Sequence, residues 1–402
     1  MPTPKQVAAA LKELKQVGRR EPRLAVEGCI RLLTGLKAKD GALDDVLREI
    51  IDWLGAPMRR AKPPEPELMD WLERLAKAYR AQPARLASLG ARFGALCGSP
   101  AIASRWADRF REELYAAQPA RAMKATLSSS KLTKSAKATQ SIQSAQLPGE
   151  AHALRLPYLS ALSAAGRHEE LRSALEPGAN SWAEAALGVK ALAALGQVDA
   201  ALSTAHQYAH LTTPVEHARA CEAALLAAGR EEDAYREHAL LAAQETRYVA
   251  WFRALRQRYP RRDPKELLSD LVSFTTSQHG EAIRGKWFAA AKEAELYQEA
   301  IALARSGDAD TRTLLRAARD FAEREPHFAL QAGLTALTAM LEAGPYEVTK
   351  TDVWTAYNAI LLAANAANQR AEVIEQLRAL LRPEAVRDRL VTRTLSRELN
   401  LS

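Results

Sequence analysis

ALSAAGRHEEL at residues 161–171, ALAALGQVDAA at 191–201 and ALLAAGREEDA at 224–234 are three copies of one pattern. Each is a run of Ala and Leu, a glycine, a few mostly polar residues, and then a small or apolar side chain five positions after the glycine. The glycines are Gly166, Gly196 and Gly229, spaced 30 and 33 residues, and the residues five positions on are Leu171, Ala201 and Ala234. Ala and Leu favour helix, and glycine supplies the backbone conformation that ends one. Each copy therefore reads as helix, glycine turn and second helix. One such hairpin cannot bury its apolar stripe alone, so neighbours must stack. The expectation is an all-α chain in which residues 150–402 form an α-solenoid of helical hairpins.

Composition agrees. Of the 402 residues 48% are hydrophobic, enough for a packed core, yet only 6% are aromatic. Ala, Leu, Arg and Glu dominate over β-branched residues, which argues for helix and against a β-sandwich. Upstream of the repeats the spacing is also helical. Val7, Leu11, Leu14 and Val17 recur every three or four residues, followed by Leu47, Ile50, Ile51 and Leu54. Residues 57–66 hold four prolines and read as a linker or stiff loop. Helical patterns resume over 67–80, 84–96 and 102–117.

Residues 118–149 differ in kind. They are rich in Ser, Thr, Lys and Gln, and no acid occurs between Glu113 and Glu150. This reads as a flexible linker between a basic helical region, 1–117, and the repeat array. Its cations, Arg121, Lys124, Lys131, Lys134 and Lys137, would also suit a chain lying along phosphates. Charge is lopsided in the same direction. Residues 1–150 carry 26 Lys and Arg against 16 Asp and Glu, whereas the remainder carries 30 against 32. Such asymmetry points to a polyanionic partner or to solubility alone.

Three cysteines, Cys29, Cys97 and Cys221, lie far apart with no CxxC, a pattern that fits buried thiols in a reducing cytoplasm. The opening MPTPKQVAAALKELK has no apolar core of a secretory signal, and no run of about 18 apolar residues occurs. The expectation is a cytoplasmic protein that spans no membrane.

The glycine turn followed by a small residue resembles the tetratricopeptide repeat over residues 151–245. Trp182 and the Leu187–Gly188 pair stand near that family's Trp and Leu-Gly, at a different spacing and without its closing proline. RYPRRDPKELLSDLV, GKWFAAAKEAELYQEAIALA and LLRAARDFAEREPHFALQAGLTAL resemble an uncharacterised family of bacterial helical-repeat proteins, over residues 246–380. The second resemblance implies a helical fold and a bacterial origin but no chemistry. Relatives bearing a zinc-binding module need CxC and CxH, which are missing here.

Three places are candidates for chemistry. His206, His210, His217 and Cys221 form two pairs at i, i+4 on either side of a turn at Thr212–Pro214, and a hairpin there would converge four zinc ligands. Scattered surface histidines are the commoner outcome, so neither metal nor cofactor is expected. Arg256, Arg258, Arg261 and Arg262 stand with Trp251, Tyr248, Phe252 and Tyr259, cations and rings that would grip phosphate and stack a base. The plainer reading buries the rings and solvates the arginines. GEAIRGK at 280–286 has the glycines and lysine of a phosphate loop, but Trp287 stands where Ser or Thr must hold magnesium. It reads as a loop entering a helix. Catalytic motifs such as GxSxG and HExxH are missing. The function expected is therefore non-enzymatic: a scaffold or adaptor taking a protein or peptide on the concave face of the array. The alternative is a nucleic-acid-binding helical array using the basic region and the arginine cluster.

Overall fold

A computed structural model describes residues 3–35, 43–116, 149–342, 348–382 and 390–401. The fold is all-α, and among the described residues no strand occurs. The chain divides into two compact units, Met1–His238 and Ala239–Ser402. The sequence reading set its divisions at 117/118 and 149/150 instead. The stretch read as a linker lies outside the described residues except for its last residue, Gly149, which opens a helix. Lys124, Lys131, Lys134 and Lys137 lie outside them too.

In the first unit the helices Pro4–Val17, Pro22–Gly35, Asp44–Ala61, Glu65–Ala81, Ala87–Leu96 and Pro100–Ala116 enclose a core running from Val7 and Leu11 to Trp106 and Phe110. The prolines of residues 57–66 do not make a linker. Pro57 lies inside the helix Asp44–Ala61, on the buried stripe of Leu47, Ile50, Ile51, Leu54 and Met58. Packing of that stripe outweighs the one backbone bond that a proline removes. The joint shrinks to Lys62, at φ 42°, and the two residues before the next helix.

The helix Gly149–Ala165 continues the same core, adding Tyr158, Leu159, Ala161 and Leu162. It crosses Ala87–Leu96 with backbones almost touching. The Gly94 amide donates to Ser160 Oγ (3.0 Å), and the Ser160 hydroxyl donates to the Ala91 carbonyl (2.7 Å). A Cβ on Gly94 would stand 2.0 Å from the Ser160 carbonyl oxygen. On one side Tyr79 donates to the Ala153 carbonyl (2.7 Å). Beneath, Phe93 meets Trp106 and Phe110 edge-on at 5.1 and 5.0 Å. Around the rim Arg167 bridges Asp108 (2.8 Å) and Glu170 (2.5 Å), and Tyr158 donates to Glu170 (2.9 Å).

The three glycine turns have one construction. Gly166, Gly196 and Gly229 sit at φ 74°, 75° and 72°. The amide after each glycine donates to the carbonyl five residues back: Arg167 to Leu162, Gln197 to Leu192, Arg230 to Leu225, at 2.9–3.0 Å. A Cβ on any of these glycines would meet open space, so backbone angle and not crowding selects glycine. Leu171, Ala201 and Ala234 are all fully buried. The second unit repeats the joint without glycine. Glu295 (φ 61°) and Asn368 (φ 58°) take the left-handed position. Leu296 donates to Ala291 (3.0 Å) and Gln369 to Ala364 (2.8 Å), and Ala300 and Val373, five residues on from each, are buried.

In the second unit, packing joins helices adjacent or next-but-one in sequence. Phe288–Glu293 lies on Tyr297–Ser306, Thr311–Asp320 on Pro326–Glu342, and Pro326–Glu342 on Lys350–Ala366, with Arg370–Leu381 and Leu390–Leu399 closing the series. The first unit does the same from Trp182–Ala194 through Val198–Gln207 to Pro214–Ala227. This order is compatible with helical repeats. Among the described residues no helix is long and apolar enough to cross a membrane.

Gly94→Ala should lower stability by about 1–3 kcal/mol or more in thermal unfolding, because backbone must shift to admit the methyl. Gly35→Ala, whose added Cβ meets nothing within 4 Å, is the neutral comparison. Glu295→Gly should stabilise the fold by about 1 kcal/mol, by relieving a left-handed residue that carries a Cβ. Unchanged denaturant midpoints in that variant would contradict the turn assignment.

Candidate functional site

The small core shared by Trp182–Ala194, Val198–Gln207 and Pro214–Ala227 holds Val189, Ala193, Ala201, Ala205, Cys221 and Ala224. Thr213 caps the third of these helices and Pro214 opens it. One turn apart on its inner face stand His217 and Cys221, with Cys221 Sγ 3.6 Å from His217 Nε2. His206, near the end of Val198–Gln207, brings its ring within 5.0 Å of His217, edge-on. One ligand atom from each of His206, His217 and Cys221 fits in a set with no separation above 4.8 Å. His206 Nδ1 lies 2.6 Å from the Leu202 carbonyl, so its N–H donates there and Nε2 keeps its lone pair.

His210 does not join them. The helix ends at Gln207 and the chain passes into a 3-10 turn, Ala209–Leu211, which breaks the i, i+4 register from His206. The His210 ring is exposed and turns back to the Gln207 carbonyl at 3.1 Å. His238 comes instead, with its ring centroid 6.5 Å from that of His217. It lies in a π turn, Tyr235–Ala239, where the chain passes from the first unit to the second.

Burial lowers the pKa of His217, and the neighbouring His206 and His238 lower it further. His238 is lowered by burial too, against the pull of Glu237. Burial, then the Glu237 charge, pushes the Cys221 thiol up to about 11. A thiol held protonated in this way is no nucleophile, although a histidine stands beside it. Cys29 and Cys97 are buried, and desolvation holds each near 12.

The arginine cluster separates into core and surface. Trp251, Phe252 and Tyr259 are buried. The Trp251 indole donates to the Leu240 carbonyl (2.8 Å) and packs on Trp287 at 5.7 Å. Its ring cannot stack on a base without leaving the core. Arg256 and Arg261 are exposed, and Arg258 and Arg262 are half-buried. In the basic N-terminal region, Arg74 forks onto Glu27 (2.9 Å), Arg80 onto Glu113 (2.7 Å), and Arg85 and Arg92 reach Asp44 and Asp52 (2.7 and 2.8 Å). These cations tie neighbouring helices together. GEAIRGK forms a 3-10 turn, Glu281–Trp287, in which Lys286 pairs with Asp308 (2.9 Å) and Trp287 is buried against Thr275. That is a packed joint and not a phosphate cradle.

Sequence reading missed a groove in the second unit. An open depression of about 470 Å³ lies between Tyr248–Arg258, Phe288–Glu293 and the turn after Thr311–Asp320. Tyr297 and Phe321 form its aromatic side, 5.8 Å apart. Arg324 Cζ lies over the Phe321 ring, 3.9 Å from its centroid, and Lys292 Nζ stands 5.7 Å from the same centroid. Among the described residues neither cation has a carboxylate partner, whereas Arg253 on the rim is paired with Glu293. The left-handed Glu295 also lines the groove. The signal in the sequence is weak, because the residues of the groove come from four separate elements.

No protein-family model, curated protein or solved structure matches the chain. The tetratricopeptide and bacterial helical-repeat resemblances thus gain no support from a matching family.

Trp251→Ala should cost about 3–5 kcal/mol in chemical denaturation. Arg256→Glu with Arg261→Glu should change the unfolding free energy by no more than about 0.5 kcal/mol, as expected of surface positions.

Proposed function

We propose that the protein is a non-enzymatic helical-repeat scaffold, a solenoid of stacked hairpins, that holds a partner's acidic peptide segment in the groove of the second unit. The observation that carries this reading is the pair of cations without carboxylate partners, Lys292 and Arg324, set against the Tyr297 and Phe321 rings. A guanidinium already seated over a ring loses little freedom when it meets a carboxylate. Carboxylates of the partner pair with Lys292 and Arg324, and an adjoining apolar side chain rests against Tyr297. Glu295 adds a second argument. A residue with a Cβ in a left-handed turn is a cost that glycine would spare, and such costs gather at working surfaces. Open, shallow and lined by both aromatic and charged groups, the groove suits a peptide better than a small substrate that must be shielded from water.

The test is fluorescence anisotropy with a labelled peptide of alternating Glu and Leu, a Lys-substituted peptide of equal length and a single-stranded oligonucleotide. The acidic peptide should bind, and Lys292→Glu with Arg324→Glu should weaken it about tenfold or more, the scale of removing about 1.4 kcal/mol. Equal binding of the acidic peptide by this variant would overturn the reading. Tight oligonucleotide binding that Arg256→Glu with Arg261→Glu abolishes would replace it with the nucleic-acid alternative.

A further inference from the structure

We infer that His206, His217 and Cys221 are ligands of a zinc ion and that His238 supplies the fourth, because two helices bring one thiol and two imidazoles within 4.8 Å of one another beside an alanine core, and a π turn brings a third imidazole ring to 6.5 Å from His217, centroid to centroid. This site is independent of the peptide groove, which lies in the other unit.

The donor set is the one borderline-soft zinc takes, nitrogen and sulfur with no need for redox chemistry. With Zn–N near 2.0–2.1 Å and Zn–S near 2.3 Å, tetrahedral ligand atoms lie roughly 3.3–3.6 Å apart. The Cys221 Sγ to His217 Nε2 separation is already 3.6 Å. The remaining separations in the set of His206, His217 and Cys221 are within 4.8 Å. The ring of His206 is exposed, so closing that gap needs no movement of packed backbone. Its Nδ1–H is held by the Leu202 carbonyl, the support by which a protein fixes the tautomer of a metal-binding histidine. The His238 ring stands 6.5 Å from that of His217, centroid to centroid, and is the imidazole we assign as the fourth ligand.

Charge fits as well. The Glu237 carboxylate lies 3.9 Å from His238 Nε2. That carboxylate is also paired with Arg236 (2.9 Å), so a Cys221 thiolate is the group that offsets charge on the ion. Binding releases the thiol proton to solvent, so the site loads less readily as pH falls.

A physical need is present too. Around this point the buried side chains are Val189, Ala193, Ala201, Ala205 and Ala224. Alanine buries one methyl, so this interface gains far less from apolar burial than the Phe93–Trp106–Phe110 region. A closed four-ligand ion would pin Val198–Gln207, Pro214–Ala227 and the turn Tyr235–Ala239 to one another, the structural use of zinc.

The experiment uses the full chain purified without a His tag. Metal analysis should find about one zinc per chain after incubation with zinc chloride and desalting. Cobalt should replace it with the visible bands of a tetrahedral ion and a thiolate-to-cobalt charge-transfer band. His206→Ala, on the surface, should lose the metal while keeping its far-ultraviolet circular dichroism, and His210→Ala should keep both. Cys221→Ser should lose the charge-transfer band. His238→Ala should shift the cobalt spectrum. Sub-stoichiometric zinc in the wild-type chain, or full zinc retained by His206→Ala, would overturn the site. An unchanged cobalt spectrum in His238→Ala would overturn the fourth ligand.

Discussion

The first unit depends on one close crossing, where the helix Gly149–Ala165 presses Ser160 against Gly94. Nothing but a hydrogen fits at Gly94, and the single Ser160 hydroxyl satisfies two backbone groups of the facing helix, accepting from the Gly94 amide and donating to the Ala91 carbonyl. That short distance fixes everything around it. It lets Tyr158, Leu159 and Leu162 reach a core that already contains Phe93 and Trp106. It also brings Glu170 and Arg167 to the edge of Pro100–Ala116. Helix packing at this distance gains dispersion from backbone atoms themselves, which bulky side chains would keep apart. The ion pairs around the rim are individually weak, being partly solvated, and they set alignment more than they set stability.

What could be read from the chain divides along the same physical line. Helix class was legible because Ala, Leu, Arg and Glu dominate and because the apolar spacing near Val7, Leu11 and Leu47 has the helical period. The turns at Gly166, Gly196 and Gly229 were legible because glycine advertises a left-handed backbone. Their counterparts at Glu295 and Asn368 were not, since a residue with a side chain gives no such sign. The signal that would have found them is the buried residue five positions on, Ala300 and Val373, matched against Leu171 and Ala201. The prolines near Pro57 misled for a related reason. A proline reports the local cost of a helix but not the five other buried side chains that override it.

The histidine cluster shows the limit of spacing arguments. An i, i+4 pair predicts a shared face only where the helix persists, and Val198–Gln207 stops one residue after His206. His217 and Cys221 lie in an unbroken helix and meet as their spacing requires. His238 is distant in sequence and arrives through a π turn, a conformation without a residue signature. The groove at Lys292 and Arg324 fails in the same way, because its parts come from separate elements and no local pattern unites them. Ring-and-cation runs such as Trp251 with Arg256 mislead in the opposite direction, since adjacency along a helix alternates inside and outside.

The recurring joint has a consequence for how such a chain changes over generations. Each turn contains its own stop signal and, five residues later, its own buried anchor. A duplicated hairpin therefore arrives with its boundary and its attachment already specified, and its neighbours keep theirs. Length becomes a trait that copying can adjust in whole hairpins, without the rest of the chain having to be rewritten.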